Sequence, residues 1–298
     1  MARIRELDAL RGFAVCGIML VNTWQHVDPR PIEGAAFMSH VEGRFYPIFA
    51  FLFGVSFALF LRAHDDRLIM LRRLAVLALF GVGHWWLMPG EVLLPYAIFG
   101  VVVLLPAGYL PKWLNPVLGA VVVVWSVVQG NPWTLIGGLF LLGLACVDYG
   151  GPKPSLPVFL GSVVVLVAFT LWGVGGFLAA LAGAAVYASG FLLLSPRAFE
   201  PLGRMALTNY VTSSFVIITA GAQTFFSVVV VTAVTLIVQW AFSTWWLSKF
   251  RYGPLEWVWR CLTWMKVVPN RQTGAGDRRS AGTDPDRPRA EEEPGGRA

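Results

Sequence analysis

Three features of the chain predict an all-α, polytopic membrane bundle of about ten transmembrane helices. Apolar residues make up 56% of the 298 positions and charged ones only 13%, too few to cover a soluble surface. The apolar residues gather into ten runs, roughly 9–25, 45–62, 70–88, 92–109, 114–129, 134–149, 156–173, 176–194, 206–225 and 227–248. With the N-terminus inside, 21 of the 23 Lys and Arg residues fall on one face, and only Arg30 and Arg44 in the first outer loop fall on the other. A wrong span count would scatter these charges, so their bias supports count and orientation together, with both termini cytoplasmic in a bacterial inner (plasma) membrane.

The first run starts with Arg11 inside its first turn and reaches Trp24 without a small-residue cleavage site, which reads as span one rather than a removable signal. Several runs fall short of the ~20 residues a bare helix needs to cross hydrocarbon. Flanking Trp, Arg and Lys make up the difference by snorkelling or local thinning. A long outer loop (26–44) and a charged inner loop, His64-Asp65-Asp66-Arg67, join the first four spans. Runs five to eight are Val, Leu, Ala and Gly and read as scaffold, with Ala180, Ala184 and Ala188 forming a small-residue stripe for close helix approach. Runs nine and ten regain polar residues at Asn209, Gln223 and Gln239.

After run ten, Pro254 opens a short helix at the position where proline is best tolerated. Leu255, Val258, Trp259 and Leu262 share one face, and Glu256 and Arg260 form an i, i+4 pair on the other. The spacing predicts an interfacial helix over 254–268 lying on the inner leaflet, closing a membrane domain of residues 1–268. Residues 269–298 carry Gly, Pro, Arg, Asp and Glu, with no large apolar side chain from about Asn270, and are expected to form a disordered cytoplasmic tail.

The net charge of +6 lies wholly in residues 1–268, and the basic cytoplasmic face is what membrane orientation requires, so it argues for no nucleic-acid partner. Cys16, Cys146 and Cys261 are far apart and lack CxxC spacing, so neither a disulfide framework nor a metal site is indicated.

Ionisable residues within spans are costly and so are candidates for function. His84, in Gly81-Val82-Gly83-His84-Trp85-Trp86, lies 11 residues beyond Arg73, about 16 Å along a helix at ~1.5 Å per residue, in the outer half of the bilayer. Glu91 follows at the start of span four. A carboxylate beside an imidazole fixes its tautomer and stabilises the cation, which suits a general base; a histidine bonded to a neighbouring helix is the alternative. Asp8 and Arg11, three apart, can pair at the inner interface or simply anchor span one. Arg204 opens span nine, with Asn209 and Tyr210 about a turn and a half deeper, either lining a passage or gluing helices together. Arg62, Arg67, Arg72 and Arg73 can hold the phosphates of a coenzyme, but positive-inside topology needs such residues regardless. His26, His40 and His64 sit in loops and read as solvated, although His26 and His40 remain open as alternatives to His84.

Four blocks resemble the bacterial YeiB-like family, the domain of unknown function 418. They are Leu7-Asp8-Ala9-Leu10-Arg11-Gly12-Phe13-Ala14; Phe45-Tyr46-Pro47-Ile48-Phe49 with Leu52-Phe53-Gly54; Arg72-Arg73-Leu74 through His84 to Tyr96; and Gly203 to Tyr210 with Gly253-Pro254-Leu255-Glu256-Trp257-Val258-Trp259-Arg260. Their order covers the chain to about residue 265. The resemblance implies distant kinship with membrane acyltransferases, including the lysosomal heparan glucosaminide N-acetyltransferase and bacterial enzymes that modify surface sugars. Those proteins take acyl groups from cytoplasmic acyl-CoA and deliver them across the membrane with an embedded histidine. The family's third-span histidine matches His84. The chain departs from the family at Glu91, where an aspartate is usual, at Ser213, which replaces a common Gln, and at Gln129–Trp133, where a longer outer segment is frequent.

Taken together, these features lead to the expectation of an acyl-transfer enzyme. Arg72, Arg73 and Arg204 would hold acyl-CoA, His84 with Glu91 would act as base on an unknown acceptor, and Asn209 and Tyr210 would bind the reacting group. The bilayer, the acyl donor and the acceptor are the expected partners, with self-association possible and no metal required. A non-enzymatic carrier or flippase, with His84 as a gate or proton relay, is the alternative.

Overall fold

Each of the ten apolar runs folds as a helix. The computed structural model describes residues 4–64 and 66–272. Its helices are α1 (Arg5–Gln25), α2 (Ala35–Ser39), α3 (Phe45–Ala63), α4 (Arg67–Trp85), α5 (Leu93–Ala107), α6 (Leu114–Gln129), α7 (Pro132–Asp148), α8 (Leu156–Leu171), α9 (Gly176–Leu194), α10 (Glu200–Arg204), α11 (Ala206–Ala220), α12 (Phe225–Lys249) and α13 (Pro254–Trp264). Among the described residues there is no strand, only an antiparallel bridge between Phe250 and Arg271. The fold is an all-α bundle.

Local chemistry sets the helix ends. Asp66 caps α4 by accepting from the Leu68 and Ile69 amides, and Asn131, Ser155 and Thr224 cap α7, α8 and α12 in the same way. Within α5, residues Gly100–Leu104 open to π register just ahead of Pro106, which lacks the N–H that would bond to Val102.

Packing places glycine where backbones touch. A Cβ at Gly54 would collide with the Phe140 carbonyl and one at Gly143 with the Phe51 carbonyl, so α3 and α7 cross in direct contact. Gly203 meets the Asp8 carbonyl and Gly12 the Phe199 carbonyl, which seats α10 against α1 in the same way. The core lies among α1, α3, α4, α5, α7 and α11, while α8 contributes no fully buried residue. The middle block is therefore not uniform scaffold: α7 is one of the most buried helices.

Polarity along α12 runs from inside to outside. Its buried face carries Thr232, Thr235, Gln239 and Ser243, whereas Phe226, Val234, Ile237, Val238 and Trp245 are exposed. Water would penalise that arrangement and hydrocarbon favours it. Four helices, α3, α4, α9 and α12, are long and apolar enough to cross a membrane, and α5, α6, α7, α8 and α11 are shorter apolar helices.

Three elements differ from the sequence expectation. The ninth run is helical over only part of 206–225: α11 ends at Ala220 with Gly221 in the left-handed region, and a separate short helix, α10, precedes it and is broken from it at Met205. The short helix α13 ends at Trp264, and its polar face does not point away from the bundle. No Glu256–Arg260 ion pair forms among the described residues; Glu256 turns inward, and the Arg260 guanidinium lies 4.5 Å from the centre of the Tyr252 ring. Finally, residues 269–272 are docked rather than free: Asn270 accepts from the Arg251 and Tyr252 amides, and Gln272 reaches the Leu247 and Lys249 carbonyls. The rest of the expected tail, 273–298, lies outside the described residues.

Candidate functional site

His84 occupies the last turn of α4. A side chain at Gly81 would strike the Leu94 backbone, so α5 lies close against α4 and the connection between them folds back tightly. The amides of Leu87 and Met88 close on the His84 carbonyl, and that turn brings Glu91 under the imidazole. Glu91 Oε2 and Oε1 accept from the Leu93 and Leu94 amides at 2.6 and 2.7 Å, capping the N-terminus of α5. The same Oε2 lies 3.5 Å from His84 Nδ1. That separation is an ion-pair distance: Nδ1 is buried and has no hydrogen-bond partner among the described residues, so Glu91 is its nearest counter-charge.

The other ring nitrogen, Nε2, lies 2.8 Å from Ser214 Oγ in the middle of α11. Ser214, His84 and Glu91 thus form a line of hydroxyl, imidazole and carboxylate, with exposures of only 1%, 4% and 2%. The Tyr210 ring, one helical turn from Ser214, packs against the imidazole with centroids 5.0 Å apart. A proton on Nδ1, facing the carboxylate, leaves Nε2 as acceptor for the Ser214 hydroxyl. His84 and Glu91 stand out in the sequence and Ser214 does not; its local signal is that it lies four residues after Tyr210 within the hydroxyl-rich stretch Thr212-Ser213-Ser214.

Beside this line lies a cavity of about 450 Å³. Its walls come from the C-terminal end of α1 (Asn22, His26), the N-terminal ends of α3 (Tyr46) and α7 (Trp133), the α4–α5 turn (Met88, Glu91) and Tyr210. These segments share one end of the bundle. The lining is largely apolar, the Tyr46 hydroxyl is buried with no hydrogen-bond partner among the described residues, and Glu91 is the one carboxylate on the wall. His26 stands exposed at this cavity, whereas the His40 ring is bound to the Ala36 carbonyl. His64 is taken up between Phe60 and Trp264, where burial and the nearby Arg260 and Arg73 hold its imidazole below its ordinary value.

The other sequence candidates are placed elsewhere. Asn209 donates to the Leu202 carbonyl and to Ser243, and Gln239 donates to the Asn209 carbonyl, Thr212 and Ser213, so Asn209 joins α10, α11 and α12 away from the cavity. Asp8 pairs with Arg11 at 2.9 Å, and Arg11 extends to Ser56, tying α1 to α3. Glu256 accepts from the Leu207 and Thr208 amides and from the Thr208 hydroxyl, which supplies the broken start of α11 with a cap from α13.

The arginines do not converge on one anion cradle. Arg62 binds Asp148 and the Val147 carbonyl, Arg67 binds the Leu105 and Gly108 carbonyls, and Arg73 stacks on Trp259 and Phe60. Arg72 is exposed, and Arg204 reaches Glu200 and the Arg251 carbonyl. Among the described residues no three His, Cys, Asp or Glu side chains gather as a metal site.

An all-helical fold with broad apolar outer faces, enclosing buried polar side chains and an imidazole, defines an integral membrane protein. The chain belongs to the family described as "Protein of unknown function (DUF418)", whose profile matches residues 133–266. That stretch carries Tyr210, Ser214 and Glu256 but stops short of His84 and Glu91. A relative from Bacillus acidopullulyticus, an uncharacterized 39.9 kDa protein in the amylase 3' region, is 30% identical over 90% of this chain and 95% of its own length. The uncharacterized protein YxaH of Bacillus subtilis (strain 168) is 37% identical over 24% of this chain and 20% of its own. No solved structure matches.

Proposed function

We propose that the protein is a ten-span enzyme of the bacterial inner membrane, with both termini cytoplasmic, that transfers an acyl group from cytoplasmic acyl-CoA to a hydroxyl or amine on an extracytoplasmic or membrane-borne acceptor. One observation carries this reading: the imidazole of His84, buried beside the cavity, has a carboxylate at one nitrogen and a hydroxyl at the other. An imidazole held that way takes a proton at Nε2 while Glu91 stabilises the cation that forms at Nδ1. The cavity, apolar and with a carboxylate on its wall, suits an acyl chain and a neutral or cationic acceptor better than the phosphates of a coenzyme. The donor's phosphates would stay at the opposite end, where Arg72 is exposed and Arg204 is partly so.

The test uses purified protein in liposomes with radiolabelled acetyl-CoA. Label appearing on lipid or protein, and lost in His84→Gln, supports the reading. Accumulation of an intact solute without label transfer would instead favour a carrier, with His84 as its gate or proton relay.

A further inference from the structure

We infer that Ser214 is the nucleophile of this site and that the acyl group passes through an acyl-serine in the middle of α11; the inference rests on the acyl-transfer reading above. Some of the hydroxyl groups on α11 and α12 are satisfied by their own helices. Thr212, Thr219, Thr235 and Thr244 each bond the carbonyl four residues earlier at 2.7–2.8 Å. Thr208, Thr232 and Ser243 instead reach side chains of other helices, and Ser214 joins them: its bond to the Tyr210 carbonyl is stretched to 3.4 Å, while its Oγ lies 2.8 Å from His84 Nε2, and it is the one of these whose partner is an imidazole. A hydroxyl used only to relieve its own polarity in an apolar helix can take the carbonyl four residues earlier, as Thr212 and Thr219 of the same helix do. This one is held against a base whose far nitrogen faces a carboxylate, the arrangement that activates a serine in hydrolases of unrelated folds.

Ser214 and His84 are buried next to the cavity and do not themselves line it. Tyr210, one turn before Ser214, lines the cavity, and Met88, which packs with Ile217 three residues beyond Ser214, lines the cavity too. Both are side chains, a ring and a flexible thioether, that can move without disturbing the backbone.

The chemistry closes with the groups present. Ser214 Oγ attacks the carbonyl carbon of a thioester or oxyester, forming the C–O bond as its proton passes to His84 Nε2 and the carbonyl pair moves onto oxygen. Collapse of that intermediate breaks the bond to the leaving thiolate or alkoxide, which takes the proton from Nε2. An acceptor hydroxyl or amine then attacks the acyl-serine, gives its proton to Nε2, and breaks the bond to Oγ, which recovers the proton. An ester formed between the two ends of the bundle lets donor and acceptor be engaged in turn.

Full-length protein in detergent micelles is mixed with p-nitrophenyl acetate, and separately with a fluorophosphonate probe, and the peptide bearing Ser214 is analysed by mass spectrometry. The expected result is a burst of about one nitrophenol per chain, an adduct on Ser214 with each probe, and no burst or adduct in Ser214→Ala of unchanged melting temperature. His84→Gln should slow the burst by about 10²–10⁴, and Ser214→Cys should retain a burst, a readout that a purely structural hydrogen bond would not produce. Absence of an adduct in the wild type, an adduct on another residue, or a wild-type burst in Ser214→Ala overturns the inference. Transfer of label from acetyl-CoA separates it from the underlying reading. If Ser214→Ala transfers normally and His84→Gln does not, direct transfer with His84 as base stands and only the acyl-serine falls; if both variants transfer normally, the base assignment falls as well. If Ser214→Ala unfolds, the Ser214→Cys adduct decides the question.

Discussion

His84 turns both ring nitrogens toward groups that can exchange a proton with it, so its substitution should reach chemistry before it reaches folding. His84→Gln is expected to lower turnover by about 10²–10⁴ with donor binding retained, whereas a histidine serving only as helix glue would lose melting temperature and keep its activity per folded molecule. Measuring donor binding, melting and turnover on one preparation separates the two. Glu91 has two duties, and they can be separated by substitution. Glu91→Gln keeps one acceptor oxygen, sets its NH2 against the other α5 amide and removes the charge beside Nδ1, and should give partial loss of rate with a smaller loss of stability than Glu91→Ala. Glu91→Ala also removes the cap, at about 0.5–2 kcal/mol. Arg72 and Arg73 should behave differently despite being adjacent. The Arg73 guanidinium lies 4.0 Å from the centre of the Trp259 ring, so Arg73→Ala, which removes that stacking but keeps the backbone bond from the Trp259 indole, is expected to loosen α13 by about 1–2 kcal/mol. The exposed Arg72 should affect only donor affinity, read as a rise in KM at unchanged kcat.

At the scale of elements, the break between α10 and α11 is the feature most open to test. It frees the Leu207 and Thr208 amides inside the bundle, and Glu256 of α13 takes both. Glu256→Ala leaves those donors without an acceptor and should cost about 1–3 kcal/mol, while Glu256→Gln, which keeps an acceptor oxygen, should cost less. Burial raises the Glu256 carboxyl above its ordinary value of 4.5. A group raised in the folded state contributes stability fully below its unfolded value, and that contribution is lost as pH rises through the folded value. Denaturation followed through the tryptophans should therefore show stability falling as pH rises from about 4.5, with a flatter slope in Glu256→Gln. The α1–α10 contact allows no side chain at residue 203. Gly203→Ala drives a methyl group into the Asp8 carbonyl and should destabilise by about 1–3 kcal/mol through helix separation.

For the molecule as a whole, the ten-span reading makes a prediction that can be scored loop by loop. Reporter fusions after residues 40, 90, 131 and 175 should read outside, and those after 66, 112, 153, 200 and 270 inside; two or more reversals would overturn the orientation and place the cavity on the wrong side for an extracytoplasmic acceptor. The helices, their order and most of their ends were legible in the chain because they follow from local causes. Apolar run length and a helix-opening Pro254 each act within a few residues of themselves, whereas the caps Asp66 and Asn131 were seen only in the structure. His84 and Glu91 were legible for a related reason: an ionisable group in an apolar run is conspicuous, and the two lie only seven residues apart. Ser214 was not, since its partner is 130 residues away and a serine in an apolar helix has no distinguishing mark until a base is set against it. Nor was the inward turn of Glu256, which depends on a helix break that i, i+4 spacing cannot show, nor the dispersal of Arg62, Arg67 and Arg73 to three separate partners. Composition and periodicity by themselves determined that the chain is a bundle of apolar helices with an imidazole and a carboxylate buried in it. Only the tertiary structure decided which hydroxyl that imidazole faces, because hydrogen-bond partners between helices are set by crossing geometry and glycine contacts rather than by neighbours along the chain.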